Sequence, residues 1–116
     1  MVSLTACSAP SPDNPVARGR FIYISNCTAC HNLNPNLPGA IGPPIAGSSE
    51  VLVKDRVLYL AYPPSYRPKR TTHLMRAFPE LAPDIKALTA FLKAAAKDPN
   101  AADAGAQPAP GSEAGG

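Results

Sequence analysis

The chain has 116 residues, which limits it to one domain. Residues 8–15 and 98–116 are rich in Pro, Ala, Gly and Ser and almost free of large apolar side chains, so neither end can bury enough surface to offset the entropy of ordering it. What remains, about Val16 to Lys97, is a small core of the kind that usually needs a staple, a metal or a cofactor.

In chain order, residues 1–15 read as a lipobox-like segment and a flexible tether. Leu4-Thr5-Ala6-Cys7 resembles a bacterial lipoprotein box, followed by a Ser/Pro leash. Only six residues precede Cys7, too few for a charged start and an apolar stretch. The expectation is therefore that translation starts upstream and that Cys7 is lipidated, the alternative being a free thiol in a disordered arm.

A first helix is predicted from an Asn14 cap with Pro15 at its first position, carrying Val16, Gly19, Ile22 and Tyr23 at helical spacing up to Cys27. A turn-rich connection follows from His31 to Gly47, dense in Asn, Pro and Gly. The second helix starts after Ser49 and must end before Pro63-Pro64. A second long connection, Pro63 to Pro79, holds Met75, the only methionine besides Met1. The third helix is predicted to open at Pro83-Asp84 and to turn Ile85, Leu88, Phe91 and Leu92 to one face, with Lys93 and Lys97 near its C-terminal end. Period-two runs of β-branched residues are missing, so the fold class is all-α. Loops this long in a compact domain are usually functional or disordered, and enclosing a flat cofactor needs such loops.

The decisive motif is Cys27-Thr28-Ala29-Cys30-His31. C-x-x-C-H is the short pattern of c-type haem attachment: two thiols on one turn form thioethers to one porphyrin edge, and the histidine that follows ligates the iron. A thioredoxin-like pair would sit in a βαβ frame, which is not apparent. A zinc knuckle wants four ligands, and the chain offers Cys27, Cys30, His31 and the distant His73, with the adjacent ligands in a poor arrangement.

Four blocks in order make residues 16–97 resemble a class I c-type cytochrome, the small monohaem His/Met electron carrier. They are Gly19, Ile22 and Tyr23 before the motif, Gly42-Pro43-Pro44-Ile45-Ala46-Gly47, Met75-Arg76-Ala77-Phe78, and Leu88-Thr89-Ala90-Phe91-Leu92. The resemblance implies a cytochrome c fold, three main helices and long loops wrapped around one haem c held by Cys27 and Cys30, with His31 and Met75 as iron ligands. It also implies that the Pro43 carbonyl takes the free ring N–H of His31, that Pro44 and Ile45 shield that side, and that Gly19 lets the first and last helices approach so that Tyr23 meets Phe91. Arg76 stands where the family has proline, which leaves the ligand loop less stiff. His73 is the competing ligand, and Met75 is preferred because the family order fits it.

No Ser/His/Asp arrangement, phosphate-binding glycine loop or paired carboxylate is present, so catalysis finds little support. The expectation is a one-electron carrier of an extracytoplasmic, periplasmic respiratory chain, lipid-anchored if Cys7 is acylated, since thioether haem is made outside the cytoplasm. The alternatives are a haem-based sensor with a labile Met75 or a non-haem metal module. All eleven basic residues fall in residues 16–97 against four acids, a balance of +7 before a haem's carboxylates. Arg67, Lys69, Arg70 and Arg76 would form a ring for an acidic redox partner, or some would pair with a haem propionate. Nucleic acid is disfavoured, because stacking aromatics are not interleaved with the charges.

Overall fold

A computed structural model of the protein describes residues 14–70 and 74–98. Cys7 and His73 lie outside the described residues, as do nearly all of the expected tether and tail. Among the described residues the secondary structure is helical, with no strand. The order is α1 (Pro15–Asn26), α2 (Glu50–Tyr59), a 3-10 helix (Pro79–Asp84) and α3 (Ile85–Lys97). None of these helices is long and apolar enough to cross a membrane.

The caps are those that local chemistry dictates. Asn14 accepts the amide of Ala17 at 3.0 Å with Pro15 in the first turn, and Ser49 accepts the amide of Leu52 at 3.1 Å. The second helix ends short of Pro63 because Leu60 adopts the left-handed conformation, φ 56°. The Leu60 carbonyl exposed by that turn is taken by the Arg56 guanidinium at 2.7 Å.

The third helix begins later than its sequence suggests. Pro83 and Asp84 belong to the 3-10 helix, and the Asp84 carboxylate makes no capping bond. It pairs instead with Arg18 of α1 at 3.2 and 3.4 Å, so a tertiary partner outcompetes the local cap.

The core is built on the α1–α3 crossing. Gly19 packs so closely on Ala87 that a Cβ would overlap the Ala87 carbonyl and the Phe91 side chain. That approach brings Tyr23 and Phe91, both fully buried, to 5.4 Å between ring centroids. Such a pair is worth about 0.5–1.5 kcal/mol beyond its area burial. Ile22, Val53, Val57, Leu81, Ile85, Leu88 and Leu92 complete the cluster. Helix α2 and the 3-10 helix pack on each other and on α3.

Candidate cofactor-binding cavity

The Cys27–His31 segment leaves α1 as a tight turn. The Cys27 amide still bonds the Tyr23 carbonyl, and the Cys27 carbonyl accepts from the amides of Cys30 and His31 at 3.2 and 2.9 Å. The Cys30 carbonyl in turn accepts from Ile41 and Gly42 at 3.1 and 3.0 Å, which folds the next loop back over the turn. Gly42 is thereby pressed against the His31 imidazole, where any Cβ would overlap the ring.

The next residue supplies the ring's partner. The carbonyl of Pro43 lies 3.1 Å from His31 Nδ1. A carbonyl can only accept, so Nδ1 carries the proton and Nε2 of the neutral ring keeps its lone pair. Burial holds the His31 pKa below its ordinary value, with the Pro43 bond opposing it, so the neutral form is favoured. Burial also pushes the Cys27 thiol up to about 11, with Cys30 adding to the shift. Both cysteines are free thiols.

All six residues singled out in the sequence, Cys27, Cys30, His31, Pro43, Ile45 and Met75, line one cavity of about 420 Å³. That volume lies within the roughly 300–1,000 Å³ of small-molecule and cofactor sites. Its walls are apolar, from Ile45, Leu52, Val53, Val57, Phe78, Leu88 and Leu92. Met75 is half-buried and packs against the core, while its neighbour Leu74 is 64% exposed. Phe78 donates its amide to the Val57 carbonyl at 2.7 Å, which ties the end of the Met75 segment to α2.

The cavity's charge is one-sided: Arg56, Lys69, Arg70 and Arg76 line it, and among the described residues no carboxylate does. Of the expected basic ring, Arg67 alone is not among the lining residues. Lys69 is not a free surface cation either, since its ammonium donates to the Pro44 carbonyl at 2.9 Å. Arg76 stacks on Phe78 with 4.1 Å to the ring centroid. Among the described residues, no three His, Cys, Asp or Glu side chains converge to hold a metal ion.

Sequence reasoning missed Arg56, Tyr62 and Tyr66. The guanidinium of Arg56 lies 4.1 Å from the centroid of Tyr62, which stacks on Tyr66 at 5.5 Å, and all three line the cavity. A signal for Arg56 existed. Leu52, Val53, Arg56 and Val57 share one helical face, and a cation on an apolar face needs an anionic partner or a reason to be there.

Scans of family models, curated proteins and solved structures found no match for this chain.

Proposed function

We propose that the protein is a one-electron carrier that holds a single haem c through thioethers to Cys27 and Cys30, in a cytochrome c fold. The observation that carries the reading is that both thiols, the His31 imidazole and the Met75 thioether, forty-four positions further on, line one apolar cavity. The donor set suits the group. A neutral imidazole with its Nδ1 proton engaged has Nε2 left to ligate iron, and a soft thioether is the partner found in electron-transfer haems. Among the described residues the lining has four cations, three tyrosines and no carboxylate, which suits a flat apolar body bearing acidic groups, and Arg56 with Tyr62 is the best candidate to hold a propionate.

When bound, haem c supplies an Fe(III)/Fe(II) couple. The chain's part is to hold it. Pro43 and Gly42 keep the His31 ring in place, Ile45, Val53, Val57 and Leu92 exclude water, and Met75 fills the remaining ligand position. With that position filled by a soft ligand, catalysis at the iron is not part of the reading.

Arg67, Arg70 and Arg76 form the docking face for an acidic redox partner, with Lys69 shared between docking and its bond to Pro44. Residence outside the cytoplasm, with a lipid tether at Cys7, belongs to the same proposal. The sensor reading differs only in the strength of the Met75 bond, and the feature behind it is Arg76 directly after Met75, where the family has proline. A zinc module would need His73 as its fourth donor, and that residue lies outside the described residues.

The test is expression of the full chain alongside a haem-maturation system. Sharp ferrous bands that stay with the polypeptide through acid-acetone extraction are expected, together with the weak far-red band of methionine-ligated ferric haem. Extractable or absent haem overturns the reading, and covalent haem without the far-red band removes Met75 from the ligand set, with carbon monoxide binding then separating the sensor from His73 ligation.

A further inference from the structure

The segment after His31 contains asparagine at every second position, Asn32, Asn34 and Asn36, separated by Leu33 and Pro35. It forms neither helix nor strand, so its backbone polar groups need other partners. The asparagines supply them in series. Asn32 Oδ1 accepts the Asn34 amide at 2.8 Å, and Asn34 Oδ1 accepts both the amide and the side-chain Nδ2 of Asn36 at 3.0 Å. The ladder is anchored at both ends. Asn36 Nδ2 donates to the Ala95 carbonyl of α3 at 2.9 Å, and the Tyr23 hydroxyl of α1 donates to the Asn32 carbonyl at 2.5 Å.

Tyr23 is fully buried in the α1–α3 crossing, and Asn32 is the residue directly after His31. Pro35, also fully buried, accepts from the amides of Ile45 and Ala46 at 2.9 and 3.0 Å, so the ladder holds the Gly42–Ala46 loop as well. Both fixed points of the imidazole, its own backbone and the Pro43 carbonyl, are therefore referred to the same helix crossing.

We infer that Tyr23 and the Asn32–Asn34–Asn36 ladder are positioning residues that set the orientation of the His31 imidazole by tying it to the α1–α3 crossing. That the imidazole is an iron ligand rests on the proposed function, whereas the ladder's hold on the ring does not. The ladder differs from ordinary loop bonding in having one end at the ligand turn and the other on a helix 59 positions away.

The experiment compares Tyr23→Phe and Asn34→Ala with Asp84→Asn, which breaks the Arg18 pair and so destabilises without touching the ladder. Two readouts follow the ring: nuclear magnetic resonance exchange of the His31 Nδ1 proton in the full chain, and the spread of haem methyl resonances in the haem-loaded ferric protein. Both ladder variants should speed exchange by about 2- to 10-fold, the worth of one hydrogen bond, and change the methyl spread. Asp84→Asn should change neither, even at equal loss of melting temperature. Asn34→Asp, which keeps the acceptor oxygens, should restore the parent signals. Ladder variants indistinguishable from Asp84→Asn overturn the inference. If Tyr23→Phe does not fold, Asn34→Ala decides. A chain that takes up no haem refutes the proposed function and leaves the exchange comparison to judge the ladder.

Discussion

The two walls of the cavity are built on opposite plans. The His31 wall, residues 31–49, carries no Asp, Glu, Lys or Arg and is held by backbone turns, the asparagine ladder and a glycine pressed on the imidazole. The Met75 wall carries Arg67, Lys69, Arg70 and Arg76, and the ties described for it are mostly made by side chains: Lys69 to the Pro44 carbonyl, Tyr62 against Arg56 and Tyr66, and Arg76 on Phe78, with the Phe78 amide bonded to Val57. One wall is uncharged and held largely by its own backbone, and the other is cationic and held by its side chains. A site built this way fixes one donor through a backbone partner and surrounds the other with charge.

The sharpest break of that contrast is removal of the covalent anchors. Cys27→Ala with Cys30→Ala should abolish covalent haem completely and lower the melting temperature more than any single change in the Met75 wall. Bands that survive acid-acetone in the double variant would end the thioether assignment.

Burial of the Cys27 thiol, at the turn that leads into the His31 wall, also predicts slow thiol chemistry. With the Cys27 thiol pushed from 9.0 to about 11, the folded haem-free chain should alkylate there about a hundredfold more slowly than the urea-unfolded chain at pH 8, because the thiolate is the nucleophile. The difference should shrink as pH rises past the folded value. Equal rates, followed by mass spectrometry, would mean that this turn is open.

On the other wall, Met75→Ala should lower the reduction potential and admit carbon monoxide or cyanide, since thioether ligation favours the ferrous state. Its cost in folding stability should be small compared with its effect on the potential. An unchanged potential would remove Met75 from the ligand set and bring His73 forward.

Gly42→Ala sets the two walls side by side. A Cβ pressed into the imidazole should cost about 1–3 kcal/mol, whereas Leu74→Ala on the exposed segment should stay within about 0.5 kcal/mol. Denaturant midpoints measure both, and equal costs would erase the distinction.

The smallest effect is on docking. Arg67→Glu with Arg70→Glu should slow electron transfer to an acidic partner and weaken its salt dependence, because exposed charges beyond about 10 Å are screened at 0.1 M salt. Lys69→Glu should act differently, since it also removes the bond to Pro44. Rates indifferent to salt and to charge reversal would point to an apolar docking face.

The helices were legible in the sequence because their signals are local. Asn14-Pro15 and Ser49 cap where their side chains reach the next turn, and Ile85, Leu88, Phe91 and Leu92 line one face by spacing alone. The need for Gly19 and the Pro43 partner of His31 also followed from short motifs, and both are present in the geometry. What only the tertiary structure decided are pairings between residues far apart. Asp84 abandons its cap for Arg18 sixty-six positions away, and Asn36 reaches Ala95 fifty-nine positions on. No local propensity encodes these choices. They arise because closing the α1–α3 crossing brings part-buried polar groups together, and each must then find a partner among whatever the fold has made its neighbour.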